Sequence, residues 1–295
     1  MSTRPNSSPP LPQTEPASIA GQLTEARQRL AAAGTESPGL EARLLVGHLL
    51  HMSSAGMIAH GDRALSVAQT EAIRNLVRER ASGRPIAYLL GQREFWSLPL
   101  QVDERCLIPR PETELLVERA LQRLPDGAAR VIDLGTGSGA IILALLAERL
   151  QLEAWGNDAS ADALAVAADN ARQLERTVHW FRGCWLEAVA PRPLFHVIVS
   201  NPPYVDPSDP HLEHGDLRFE PRAALVAGDG GLADLATIAG QSRARLHPGG
   251  WLLLEHGYDQ APAVRTLLTR HDFREVASHR DPAGHERITE GRRPG

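Results

Sequence analysis

Two short stretches carry residue types that could do chemistry together. The apolar run from Phe195 to Ser200 stops abruptly at Asn201-Pro202-Pro203-Tyr204, and the run from Val131 to Leu134 enters a loop, DLGTGSGA, from Asp133 to Ala140. Alone, Asn-Pro-Pro-Tyr reads as a turn, since Asn-Pro and Pro-Pro punctuate chains. It also suits one reaction. A planar nitrogen bearing two hydrogens, in a carboxamide or on a nucleobase, is a poor nucleophile because its lone pair is delocalised. Two fixed acceptors, the Asn201 side-chain oxygen and the Pro202 carbonyl, can take its two N–H bonds, while the ring of Tyr204 stacks on the flat group. Prolines restrict φ, so the acceptor is held at little further entropic cost. As the nitrogen attacks an electrophile it gains positive charge, and both acceptors then hold it more strongly. Asn201, Pro202 and Tyr204 are thus the candidate catalytic residues.

The glycine loop supplies a candidate partner. Gly135, Gly137 and Gly139 alternate, which allows a tight turn and close approach to a ligand. The spacing is not the dinucleotide fingerprint G-x-G-x-x-G. A structural strand-to-helix turn is the alternative reading. The next apolar segment ends at Asp158, where an acid can accept both hydroxyls of a ribose; it can equally cap the following helix, as can Ser160. Trp185, after the third strand, either packs on an adenine ring or fills the core. Together these features imply a nucleoside ligand without a pyrophosphate.

The elements that must position these groups follow from periodicity. Three segments between Ala17 and Ser82 repeat apolar residues every three or four positions, and Ser66 with Gln69 predicts a capping box. A small helical domain is expected over 17–82, after a Pro- and Ser-rich disordered tail over 1–16. A linker over 83–110 contains REFWSLPLQV, a candidate β-hairpin. From 111 to 295 the pattern alternates strand and helix, which predicts an α/β fold with a mainly parallel sheet. Ligands on such sheets sit beyond the carboxyl ends of the strands, at the topological switch point. Asn201 to Tyr204 would stand there beside the glycine loop.

Composition narrows the chemistry further. The net charge is −5, without the basic surplus of a protein that grips nucleic acid through phosphates, so direct nucleic-acid binding is not expected. The 31 basic residues are all arginines, and the absence of lysine excludes Schiff-base chemistry and a lysine-dependent phosphate loop. Cys106 and Cys184 lack metal-ligand spacing and read as idle thiols. His211-Leu212-Glu213-His214 has no evident further ligands, so a solvated loop is expected and no metal. No apolar run approaches a membrane span and the N-terminus has no apolar signal core, which implies a cytoplasmic protein. A monomer is expected.

At DLGTGSGA and NPPY the chain resembles the S-adenosylmethionine-dependent methyltransferases with a seven-stranded Rossmann-like sheet. LIPRPETELLVE (Leu107 to Glu118), the run SNPPYVDPSDPHLEHGDLRFEPRAALVAGDGGLADL and LLLEHG near Glu255 narrow the resemblance to the release-factor glutamine N5-methyltransferases. It covers essentially everything after the tail. The resemblance implies that Gly135, Thr136, Gly137, Ser138 and Gly139 cradle S-adenosylmethionine, Asp158 holds the ribose and Trp185 contacts the adenine. Asn201 would touch both cofactor and substrate, with Pro202, Pro203 and Tyr204 completing a glutamine pocket. Arg110, Glu112 and Glu114 would anchor the cofactor's amino-acid end or cap the next helix. The implied partner is a class 1 peptide chain release factor, methylated at the glutamine of its Gly-Gly-Gln loop. A ribosomal protein glutamine or a nucleic-acid amino group are the alternative substrates. Two positions depart from the family pattern: Cys184 stands where an aspartate is usual, and Asn157 where an apolar residue is commoner.

Overall fold

The computed structural model describes residues 17–213 and 215–295. The tail expected over 1–16 lies outside them, as does His214 of the His-rich loop. The chain divides into two units, one ending at Leu90 and one running from Gly91 to Gly295.

The first unit is helical, with segments Ile19–Ala32, Pro38–Leu50, Ser54–Ala59, Val67–Ala81 and Ile86–Leu90. Serines set three of the starts. Ser18, Ser53 and Ser66 each accept a backbone N–H from the first turn, and Ser66 with Gln69 forms both halves of the capping box. The apolar stripes of the long helices meet in one core, with Ile19, Leu30, Leu45, Met57, Ile73 and Val77 buried. Helices Ser54–Ala59 and Ile86–Leu90 were not foreseen, because six and five residues are too few to show a helical period.

The second unit opens with the hairpin β1 (Gln92–Phe95) and β2 (Leu98–Gln101). Its turn residues Trp96 and Ser97 have φ of 52° and 57°. Two left-handed residues match the twist of a two-residue hairpin, a geometry that usually recruits Gly or Asn. Here the turn is held from outside: Glu114 accepts the Trp96 N–H at 2.9 Å and Glu148 accepts its indole N–H at 2.7 Å. Glu114 therefore secures the hairpin.

The remaining strands are β3 (Arg130–Leu134), β4 (Glu153–Asp158), β5 (His179–Arg182), β6 (Phe195–Ser200), β7 (Leu246–Glu255), β8 (Arg274–Arg280) and β9 (Glu286–Arg292). They form one sheet in the order β5-β4-β3-β6-β7-β9-β8. Neighbours from β5 through β7 run parallel, and β9 pairs antiparallel with both β7 and β8. Both faces are covered, which explains why the central strands read as continuous apolar runs. Val131, Val197, Val199 and Leu253 face one core with Leu116, Ile142 and Leu145. Ile132, Ile198, Leu252 and Leu254 face the other with Leu235, Ile238, Val264 and Phe273. Helix Ala140–Glu148 is buried from Ala140 to Leu146, as suits a helix apolar on every side.

The chain leaves β3 toward β4 and returns to β3's other side only at β6. That reversal opens a crevice at the carboxyl ends of β3 and β6. Both candidate stretches begin there: the glycine loop follows Leu134, and Asn201 follows Ser200, whose hydroxyl donates to the Leu134 carbonyl at 2.7 Å.

Candidate active site

A cavity of about 360 Å3 occupies this crevice, within the usual range for small-ligand sites. Its walls come from the glycine loop, the ends of β4 and β5, the start of the Asn-Pro-Pro-Tyr turn and two opposing segments near Cys106 and Ala223. Gly135, Gly137, Asp158, Trp185, Asn201 and Pro203 all line it. Thr136, Ser138, Gly139, Pro202 and Tyr204 do not. Thr136 and Ser138 are buried: the Thr136 hydroxyl donates to Asp133 at 2.6 Å, and the Ser138 carbonyl accepts from Asn170 at 2.9 Å.

Two glycines answer different demands. Gly135 has φ 69°, and a Cβ there would stand 3.1 Å from the Trp185 ring. Gly137 has φ 56° and would meet nothing within 4 Å, so its missing side chain leaves open cavity. Asn170 locks the loop from behind. It exchanges hydrogen bonds with Gln101 on β2 while donating to Ser138.

Asp158 accepts the Gly137 N–H at 3.0 Å through Oδ2 and the Ser160 N–H at 2.9 Å through Oδ1. Ser160 is the residue that caps the next helix, through Ala163. Burial raises the Asp158 carboxyl above its ordinary range despite these amides. A carboxylate offers about four acceptor sites, so beside the amides of Gly137, Ser160 and Ala159 it can still accept from a hydroxyl, which would offset its burial. Trp185 stands between the core and the cavity. Its ring packs partly into the core, lines the cavity beside Gly135, and donates its indole N–H to Asp234 at 3.1 Å. Asp234, also on the cavity wall, was not singled out from sequence; it lies 49 residues away on helix Ala233–Ser242.

The two departures from the family pattern have structural consequences. Asn157 is fully buried, and its Nδ2 donates to the carbonyls of Gly183 and Trp185 at 3.1 and 2.7 Å. An amide here pins the left-handed Trp185 backbone (φ 48°). Cys184 is exposed on the cavity wall. Cys106 lines the same cavity, with its thiol pushed up to about 11 by burial. His211, exposed in the 3-10 turn Pro210–Glu213, pairs with Asp209 at 2.7 Å.

Arg110 is engaged by Glu220, which also accepts the Ile108 N–H at 3.1 Å. This buried carboxylate fastens the segment before Pro111 to the one before Pro221. Asn201 donates through Nδ2 to the Thr113 hydroxyl at 3.3 Å. Tyr204 donates its hydroxyl to Glu255 at 3.3 Å. The turn is buttressed from behind, since Gln260 donates to the Tyr204 and Gly230 carbonyls at 3.0 and 3.1 Å.

Asp133, wholly buried beneath the loop, is pushed up to about 7 by burial, with the Thr136 hydroxyl opposing the shift and the Asp158 charge adding to it. An unfolded aspartate titrates near 3.8. The folded chain therefore binds more protons from about pH 4 to about pH 7, and stability falls as pH rises through that window. Asp133→Asn should flatten the decline in denaturant melts taken from pH 5 to pH 8. Glu255, pushed up the same way, leaves a residual slope. A slope unchanged in the variant would exclude Asp133 as a source.

A sheet of this order, with a glycine loop after β3, an acid ending β4 and a nucleoside-sized cavity between them, defines a Rossmann-like methyltransferase of the S-adenosylmethionine-dependent class. A release factor glutamine methyltransferase of Salmonella typhimurium is 48% identical over 88% of this chain and 93% of its own length. The chain belongs to the release factor glutamine methyltransferase family. A second relative of that name, from Bordetella pertussis, is 50% identical over 86% of this chain and 94% of its own length. The family descriptions "PrmC N-terminal domain" and "Methyltransferase small domain" match residues 22–91 and 111–230. Among solved structures, a methyltransferase from Pyrococcus furiosus shares the fold, with a TM-score of 0.51 at 17% identity over 67% of this chain and 90% of that one.

Proposed function

We propose that this chain methylates the side-chain amide nitrogen of the glutamine in the Gly-Gly-Gln loop of class 1 peptide chain release factors. The observation that carries the reading is Asn201. It stands on the wall of the nucleoside-sized cavity with its Nδ2 committed to Thr113, which leaves Oδ1 to accept. The residues present fit S-adenosylmethionine: Asp158 for the ribose hydroxyls, the Trp185 ring for the adenine, and Gly135 and Gly137 for close backbone approach. When bound, that cofactor supplies an electrophilic methyl group.

The chain's own groups do the rest. Asn201 Oδ1 and the Pro202 carbonyl accept the two N–H bonds of the glutamine amide. Their hold tightens as positive charge gathers on the nitrogen, which lowers the barrier. Pro203 and Tyr204 bound the pocket, and the Tyr204 hydroxyl is anchored to Glu255, which keeps the ring in place. The glycines of the substrate loop put no side chains at the pocket mouth, so the glutamine can extend into it. The helical unit supplies a second docking surface, whose binding energy helps order the reacting amide. The relatives named for this activity and the fit of Asn201 to an amide favour this substrate over a nucleic-acid base. A monomer acting in the cytoplasm is the simplest setting, and no described helix is long and apolar enough to cross a membrane.

Calorimetry tests the cofactor half. Asp158→Ala should weaken S-adenosylmethionine binding by about 1.5–3 kcal/mol, the usual cost of losing hydrogen bonds to a charged acceptor. Unchanged affinity would remove Asp158 from the ribose role.

A further inference from the structure

Asparagine presents two nearly isosteric faces, an oxygen and an NH2, and only the oxygen suits the amide of a substrate glutamine. Something must therefore decide which way the Asn201 amide turns. Nothing within Asn201 to Tyr204 does so. The Asn201 Nδ2 meets Thr113, from the 3-10 turn Pro111–Thr113, and the Tyr204 hydroxyl meets Glu255, at the end of β7. Thr113 is itself buried and its hydroxyl, with the Arg287 charge and the Tyr204 hydroxyl, favours the charged form of the same Glu255 carboxyl. Glu255 is almost wholly buried, and its Oε2 has no hydrogen-bond partner. That atom is the natural acceptor for the single Thr113 proton.

We propose that Thr113 and Glu255 are positioning residues that set the orientation of the Asn201 amide, and so decide whether the enzyme offers its substrate an acceptor. A threonine hydroxyl has one proton. When Glu255 is ionised, that proton goes to the carboxylate, and the Thr113 oxygen is left only to accept. The Asn201 NH2 must then face Thr113 and Oδ1 must face away from it. When Glu255 is protonated, its own proton goes to Thr113. The Thr113 proton is released to Asn201 Oδ1, the amide turns over, and an NH2 confronts a substrate nitrogen that also carries hydrogens. Burial pushes the Glu255 carboxyl up to about 7, so the switch lies near neutrality. The other charged groups acting on it are Arg287, which favours ionisation, and Glu112, which opposes it. Tyr204 titrates far above this range.

The inference rests on Asn201 being the amide acceptor, and the test separates the two. The full-length enzyme is assayed on intact, unmethylated class 1 release factor from pH 6 to pH 8.5, with Asn201→Ala in parallel. Thr113→Val keeps the shape and removes the relay, and should lower kcat at pH 8 about tenfold, the effect of one hydrogen bond. KM for release factor and calorimetric affinity for S-adenosylmethionine should stay close to wild type. Thr113→Ser restores the hydroxyl and should recover most of kcat. Glu255→Gln cannot ionise, and should show a low kcat without the wild-type rise in kcat around pH 7. Should Thr113→Val fail to fold, the Glu255→Gln profile decides. The relay is overturned if Thr113→Val keeps wild-type kcat while Asn201→Ala loses it. It is equally overturned if Thr113→Ser is as slow as Thr113→Val at equal melting temperature, or if Glu255→Gln retains the wild-type pH profile. An active Asn201→Ala would instead overturn the acceptor reading beneath it.

Discussion

Asn201→Ala should lower turnover about 10²–10³-fold, the usual cost of removing one preorganised polar group from a transition state. Its side chain lies on the cavity wall, not in the core, and makes one hydrogen bond, to Thr113. The fold should survive its loss. Cofactor affinity should largely survive too, since Asp158 and Trp185 on β4 and after β5 are untouched. Rapid-quench or steady-state assays read the turnover, and calorimetry reads the binding. Asn201→Asp sharpens the test, because it keeps an acceptor of similar shape while adding charge. Measurable residual activity in that variant is expected if acceptor geometry dominates. Near-normal turnover of the alanine variant would refute the acceptor mechanism.

The second large effect is expected at a glycine remote in sequence from the motif. Gly231 has φ 83°, and a Cβ there would sit 2.1 Å from the Tyr204 carbonyl oxygen and 2.6 Å from the Gln260 Nε2. Neither obstacle yields easily, because the carbonyl is backbone and Gln260 is held by the hydrogen bonds it donates. Gly231→Ala must therefore displace the Tyr204 backbone and with it the turn that carries Asn201. Left-handed strain and overpacking each cost of the order of 1–3 kcal/mol. The variant should lose both thermal stability and turnover. Gln260→Ala removes the tether without the clash, and should lose turnover with a smaller stability change. A Gly231→Ala enzyme with native melting temperature and rate would show that the glycine does not shape the turn.

Much of this arrangement was legible in the residues. The alternation from Arg130 onward predicts the parallel sheet, because buried central strands and capped helices each have a local signature. The site was legible where its residues lie at strand ends, as Gly135, Gly137, Asp158 and Asn201 do. The rest is long-range. Gly231 and Gln260 touch Tyr204 across 27 and 56 residues, and no local pattern links them. Thr113 and Glu255 reach Asn201 and Tyr204 across 88 and 51 residues, beyond any local pattern. Strand β7 begins at Leu246, ahead of its continuously buried run from Gly250 to Glu255, so no apolar pattern marks its start. Backbone pairing of Leu246 with Phe195 decides that start, with an irregular register before Val197. Asn157 looked like a weakness in a strand and proves to be the amide that pins the Trp185 loop.

The most direct measurement is mass spectrometry of an intact class 1 release factor after incubation with the enzyme and S-adenosylmethionine. One added methyl group should map to the glutamine of the Gly-Gly-Gln loop, and should disappear both when that glutamine is replaced and when the enzyme carries Asn201→Ala. A methyl group on another residue, or transfer only to a ribosomal protein or nucleic acid offered alongside, would contradict the assignment.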